Sequence, residues 1–389
     1  MRHYLDHAST TPLLPAAVTA MRSWLERSGT PDGTGDPSRV HAEGREVRGA
    51  IETAREQVAS LAGVPPSRVV FTSGATEAAN TAVESVAPEI SLCARVEHSC
   101  VLQASRRAGE VREVAVGSDG VIDVDHLRAL LREVRSRSLA TAPLLVHCQW
   151  ANHEVGAVQP VYDVARVCAD SGVPLHVDAA AALGHVPIDL GAVKADYVSV
   201  SAHKLGGPSG VGALVLGRGV RMRPLVVGAS EERARRAGME NLLGIVGFGA
   251  AAAELVADGS GGLHARAAEA AGHRDAIAAA ATSVEGVSVL GPPRAANRLP
   301  HLLCCSVEGV LGEAVLLGLD AAGIAAHSGS ACSSEVLEPS PVLEAMGVDP
   351  DRSLRLSVGW STSEEDVEAF RQAFPDVVAR LRSLAARAE

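Results

Sequence analysis

Aromatic side chains are scarce: Phe, Tyr and Trp together make up 3% of the 389 residues, and Ala, Val and Leu carry most of the apolar mass. Small side chains of that kind suit helices packed closely on a sheet. Long apolar runs are lacking as well. None reaches the ~20 residues needed to cross a bilayer, and Met1–Asp6 meets an acidic residue before any signal-peptide core forms. A cytoplasmic protein without membrane attachment is the expectation. Clustered positive charge is nearly absent. The net charge of −11 opposes broad contact with nucleic-acid phosphates. The one basic group, Arg233, Arg235 and Arg236, follows Glu231 and Glu232 and reads equally well as a solvated loop, so no direct nucleic-acid binding is expected. Cysteines 93, 100, 148, 168, 304, 305 and 332 form no C-x-x-C pair. Their odd number favours free thiols over a disulfide framework, and no metal site is expected.

The length exceeds what one compact core organises, so a large domain and a smaller one are expected. Val47, Ile51, Ala54, Val58 and Leu61 recur at helical spacing, predicting a helix over 47–61 that Gly63 stops. Short apolar runs follow, each the pattern of a buried strand: Arg68–Thr72, Leu144–Gln149, Pro174–Asp178, Tyr197–Ser201 and Gly212–Leu216. Helical stretches such as Val161–Ser171 separate several of them. The alternation predicts an α/β fold with a mostly parallel sheet covered by helices. Asp258–Gly262 reads as a flexible break before the smaller unit.

In an open parallel sheet, ligands bind outside the carboxyl ends of the strands. Three polar signals fall there. Phe71–Glu77 leaves a strand and opens a helix, whose first N–H groups and Thr76 hydroxyl form a phosphate cradle. Asp178 ends one strand, and Lys204 follows another. Pyridoxal 5'-phosphate (PLP) needs such a set: a lysine for covalent attachment, an anion at its pyridine nitrogen and donors for its phosphate. Each alone is weak, since strand-end Asp and Lys are commonly structural or solvated. Gly210-Val211-Gly212 leads into a strand rather than a helix and fails as a dinucleotide loop.

The wording of the chain resembles the cysteine desulfurases, PLP enzymes of fold type I in the class V aminotransferase superfamily. Tyr4-Leu5-Asp6-His7-Ala8-Ser9-Thr10-Thr11-Pro12, Asp36–His41 with Gly44-Arg45, Thr72–Asn80 and Glu97-His98 carry the resemblance through the first quarter. Asn152–Gly156, His176-Val177-Asp178, Ser201-Ala202-His203-Lys204 with Gly206-Gly207-Pro208, Ser328–Ser334 and Ser353–Ser357 continue it, in family order, over nearly the whole chain. The resemblance implies a seven-stranded sheet in a large domain over 12–257, with 1–11 and 263–389 forming a small domain that carries the Cys332 loop. It implies that Lys204 bears PLP and later serves as base, that His98 stacks on the pyridine ring and serves in acid–base steps, and that Asp178 pairs with the pyridine nitrogen. Ala75, Thr76, Ser201 and His203 would hold the phosphate, Arg355 the carboxylate of L-cysteine, and Asn152 and His153 would also contact the substrate. Cys332 would attack the substrate sulfur, keep it as a persulfide, release alanine and pass the sulfur to an acceptor protein. A homodimer is implied too. Alone, His98 would read as an ordinary strand-end histidine, Arg355 as half of a surface ion pair and Cys332 as an inert thiol; the Gly/Ser setting of Cys332 tips that last choice toward chemistry.

Three positions depart from the family pattern. Ala181 stands where a glutamine meets the phenolic oxygen, His153 where an asparagine (after Asn152) contacts PLP and substrate, and Met239 where a threonine reaches the partner subunit's phosphate. His153 is expected to take over part of these contacts. A selenocysteine lyase or other C–S lyase independent of Cys332, and a non-catalytic sulfur-relay scaffold, stay open as alternatives.

Overall fold

The computed structural model describes residues 2–30, 34–136, 142–257, 262–328 and 339–388. After a short strand, β1 (His3–Tyr4), come β2 (Val69–Thr72), β3 (Ile90–Ala94), β4 (Glu110–Val114), β5 (Leu144–Gln149), β6 (Leu175–Asp178), β7 (Tyr197–Ser201) and β8 (Gly212–Leu216). Strands β2 to β8 form one sheet in the order β2-β8-β7-β6-β5-β3-β4. Only β8 runs against its neighbours; the other pairings are parallel. The expected seven-stranded, mostly parallel sheet is therefore present. Strands β5 to β8 are buried throughout, which explains their unbroken apolar runs.

Two expected strands are shorter by a residue. Arg68 closes a 3₁₀ turn, Pro66–Arg68, and Pro174 has no N–H to give the ladder. The helix predicted over 47–61 spans Ala42–Ala62, because His41 Nδ1 accepts the Gly44 N–H and caps a polar first turn that apolar spacing does not reveal. Gly63, at φ +66°, ends it.

The remaining strands are β9 (Val287–Val289), β10 (Leu302–Val307), β11 (Ile324–Ala325) and β12 (Ser353–Ser357). β12, β10 and β9 make an antiparallel sheet, and β11 pairs with β1. Two main apolar cores result, beside two small clusters around Val70 and Leu145. The larger lies around the central sheet; the smaller gathers Leu5, Ile277, Leu354, Leu356 and the stacked Phe370 and Phe374. Strand β10 serves both: Leu302 and Cys304 face the first core, and Leu303, Cys305 and Val307 the second. Among the described residues, no helix is long and apolar enough to cross a membrane.

Candidate active site

A cavity of about 530 Å³ opens at the carboxyl ends of the central strands, a size that suits a small-molecule site. Each wall comes from a different strand end. Ser73, Gly74, Ala75 and Thr76 follow β2; His98 and Cys100 follow β3; Gln149 ends β5, and Ala151 and His153 follow it. Asp178 ends β6, with Ala180 and Ala181 after it, and Ser201, His203 and Lys204 end and follow β7. The helix Ala75–Val86 begins without a side-chain cap, so its first N–H groups are left for an anion in the cavity. The chain has two lysines, Lys194 and Lys204. Lys194 is exposed beyond a short helix, leaving Lys204 as the amine of this cavity.

The electrostatics favour neutral imidazoles around Lys204. Burial lowers the pKa of His98; Lys204 lowers it further, while Asp178 pulls it back. His98 Nδ1 accepts the Cys100 N–H at 3.2 Å, so the proton of the neutral ring sits on Nε2. His153 meets His98 edge to face, with centroids 5.1 Å apart. Burial holds His153 far below the usual histidine range, with His98, Lys204, Arg355 and His327 adding to the effect. Its neighbour Glu154 accepts a hydrogen bond from Ser340 Oγ at 2.5 Å and is raised to about 7 by burial. Asp178 Oδ1 accepts the Ala180 N–H at 3.0 Å.

The structure thus brings Ala75, Thr76, His98, His153, Asp178, Ser201, His203 and Lys204 to one cavity. Asn152 is not on its wall. Its Oδ1 accepts the Glu154 and Val155 N–H groups and its Nδ2 donates to Val96 O, so the side chain shapes the loop that presents His153. Arg355 lies behind that loop. It donates from Nη1 to His153 O at 3.0 Å and from Nη2 to Asp6 Oδ1 and Ser9 Oγ, while its buried Nε has no partner among the described residues. Cys332 lies outside the described residues. Ala181 lines the cavity beside His153, and Met239 is exposed at a neighbouring depression.

Sequence reasoning passed over Cys100, whose Sγ stands 3.0 Å from His98 Nδ1 and whose thiol burial pushes up to about 12. It gave no separate role to Glu97, which is fully buried, accepts the Gln149 N–H at 2.7 Å and is raised to about 8 by burial, with Asp178 adding to the rise. A carboxylate beside a motif histidine was the available signal.

Comparison with known proteins fits this geometry. The family model described as "Aminotransferase class-V" matches residues 3–370. A "Cysteine desulfurase" from Enterobacter agglomerans is 40% identical, with 98% of this chain and 94% of the relative covered. The "IscS-like cysteine desulfurase" of Mycobacterium tuberculosis is 37% identical, with 98% of each covered. Among solved structures, a NifS-like protein from Rickettsia africae superposes with a TM-score of 0.86 at 26% identity, over 97% of this chain and all of that one. "SspA in complex with cysteine" superposes with a TM-score of 0.76 at 26% identity, over 92% and 99%. The chain belongs to the class-V aminotransferase family, and within it to the cysteine desulfurases, which depend on PLP.

Proposed function

We propose that this chain takes sulfur from L-cysteine, releases L-alanine and passes the sulfur through Cys332 to an acceptor protein. The carrying observation is the convergence of Lys204, Asp178, His98 and an uncapped helix N-terminus on one cavity. This donor set fits PLP. Lys204 Nζ would hold it covalently, Asp178 would face the pyridine nitrogen, and the N–H groups of Ala75 and Thr76, with the Thr76, Ser201 and His203 side chains, would hold the phosphate. Bound there, PLP supplies an electron sink for the substrate α-carbon.

Lys204 Nζ would serve as the base that takes the substrate α-proton. His98 presents Nε2–H to the reacting atoms, because its Nδ1 is committed to the Cys100 N–H. Arg355 would meet the substrate carboxylate only by exchanging its present bonds to His153 O, Asp6 and Ser9, which hold it behind the cavity wall. The Cys332 thiolate then attacks the substrate sulfur. An S–S bond forms, the C–S bond breaks and leaves its electron pair with the β-carbon, and a proton at that carbon together with the α-proton returned from Lys204 completes alanine. Cys93, Cys148, Cys168, Cys304 and Cys305 do not suit that role: all are buried, with pKa values raised by burial. Exposed Val226, Val227 and Met239, the last bordering a depression shared with Ser73 and Gly210, support a homodimer, and a cytoplasmic setting suits free thiols.

Alanine and protein-bound persulfide are to be quantified after L-cysteine addition to wild type, Cys332→Ala and Cys100→Ser. Wild type and Cys100→Ser are expected to form both products and Cys332→Ala neither. Undiminished alanine from Cys332→Ala would replace this reading with a C–S lyase that does not need the thiol.

A further inference from the structure

Lys204 is held from behind. It sits in a turn closed by the Leu205 and Gly207 N–H groups on the Ala202 carbonyl, at 3.1 and 2.9 Å. Its own carbonyl accepts a hydrogen bond from His185 Nε2 at 2.8 Å. A carbonyl cannot donate, so Nε2 carries the proton and the neutral ring has a single tautomer. His185 belongs to the turn that follows Asp178, where Leu183 N–H bonds to Ala179 O and His185 N–H to Ala182 O. Beside it, Gly184 has φ +85°, and a Cβ there would stand 2.7 Å from the Leu205 Cβ. Glycine lets this turn lie directly against the lysine turn.

The ring of His185 is oriented in its turn. It stacks on His301, with centroids 3.7 Å apart and planes 21° apart. His301 is buried and immediately precedes β10, and its Nδ1 has no partner among the described residues. Strand β10 pairs with β12, where Cys304 lies opposite Arg355. Burial pushes His185 down to about 4 and His301 well below the usual range, so both rings stay neutral and stack without charge repulsion. Neither ring lines the large cavity. Both instead border a space of about 40 Å³ shared with Thr11, Lys204 and Trp360, room for a water or two.

We propose that His185 is a positioning residue for Lys204, and that His301, stacked on it, ties the lysine turn to the strand pair bearing Arg355. The inference rests on the reading that Lys204 holds PLP. A lysine amine ends a chain of rotatable bonds, so neighbours set its reach chiefly by fixing the main chain beneath it. His185 does this from the Asp178 side, joining the two strand ends that the cofactor would span.

The test uses purified holoenzyme and two readouts besides turnover: the rate of PLP release, followed by loss of visible absorbance, and the visible circular dichroism of bound PLP. His185→Phe keeps a ring on His301 and loses the donor; His185→Gln returns an N–H without the ring. His185→Phe is expected to release PLP about fivefold faster, the scale of one hydrogen bond, with weaker dichroism and a lower kcat at little-changed KM. His185→Gln is expected to restore the release rate to within about twofold. His301→Ala, with the donor intact, should shift release in the same direction by less. Wild-type release and dichroism in a normally folded His185→Phe overturn the positioning role, and wild-type behaviour of His301→Ala overturns the tie. If His185→Phe does not fold, His185→Leu replaces it: faster release than in His185→Gln supports the proposal, and equal release overturns it. Wild-type protein that takes up no PLP instead overturns the reading of Lys204, and the inference with it.

Discussion

Glu97 gives one carboxyl oxygen to the Gln149 N–H and has no partner for the other among the described residues. Burial raises it from the ordinary carboxyl value of 4.5 to about 8, so at neutral pH it stays protonated beside the pocket aspartate. The sign of its linkage follows. A carboxyl that binds its proton more tightly when folded contributes stability below the unfolded pKa and loses it as pH rises through the folded one. Stability should therefore fall between about pH 4.5 and 8, with Glu154, raised to about 7 by burial, acting in the same direction. Glu97→Gln keeps an acceptor and removes the titration. Thermal midpoints at pH 5.5 and 8.5 are expected to differ less in this variant than in wild type, and an unchanged difference would contradict the assignment. Motif reasoning could point to Glu97 only as a neighbour of His98; its protonation state depends on packing that pairs residue 97 with 149 and 178.

At the scale of elements, the basic segment that reads from sequence as a solvated loop or a phosphate patch is anchored at its start. Glu232, Arg233 and Ala234 all take left-handed φ values, 46°, 61° and 59°, which are unfavourable for side chains with a Cβ. What holds the turn is Glu232, buried and bonded to both terminal nitrogens of Arg55 at 2.7 and 2.6 Å and to the Phe71 N–H at 2.9 Å. Arg55 also lies over the Phe71 ring. Glu232→Ala removes the carboxylate from both terminal nitrogens of buried Arg55, leaving it Glu52 and the Val69 carbonyl, and is expected to cost about 3 kcal/mol, measured by urea unfolding; a loss under about 1 kcal/mol would show that Glu52 or water compensates. No periodicity announces a pair 177 positions apart. Local signals did announce the regular elements: β5, β7 and β8 have the bounds expected from their apolar runs. β3 and β4 went unread; the edge strand β4, Glu-Val-Arg-Glu-Val, hides its alternation among charges.

Across the whole molecule, the residues expected to hold PLP were legible because they lie at strand ends and in motifs that precede the fold. What surrounds them was not. Asn152 turned inward to shape a loop, Arg355 withdrew behind the His153 carbonyl, and His185 reached back to Lys204 from a turn with no motif of its own. These roles depend on the meeting of two cores along β10, a long-range arrangement without a local signature. The chain's composition nevertheless leaves a direct test of the central claim. Only Lys194 and Lys204 can attach PLP through a side-chain amine, and Lys194 is exposed, outside the cavity. Borohydride reduction of the PLP-loaded protein, followed by mass spectrometry of its peptides, should place the pyridoxyl group on Lys204 alone. A label on Lys194, or on neither lysine, would contradict this account of the site.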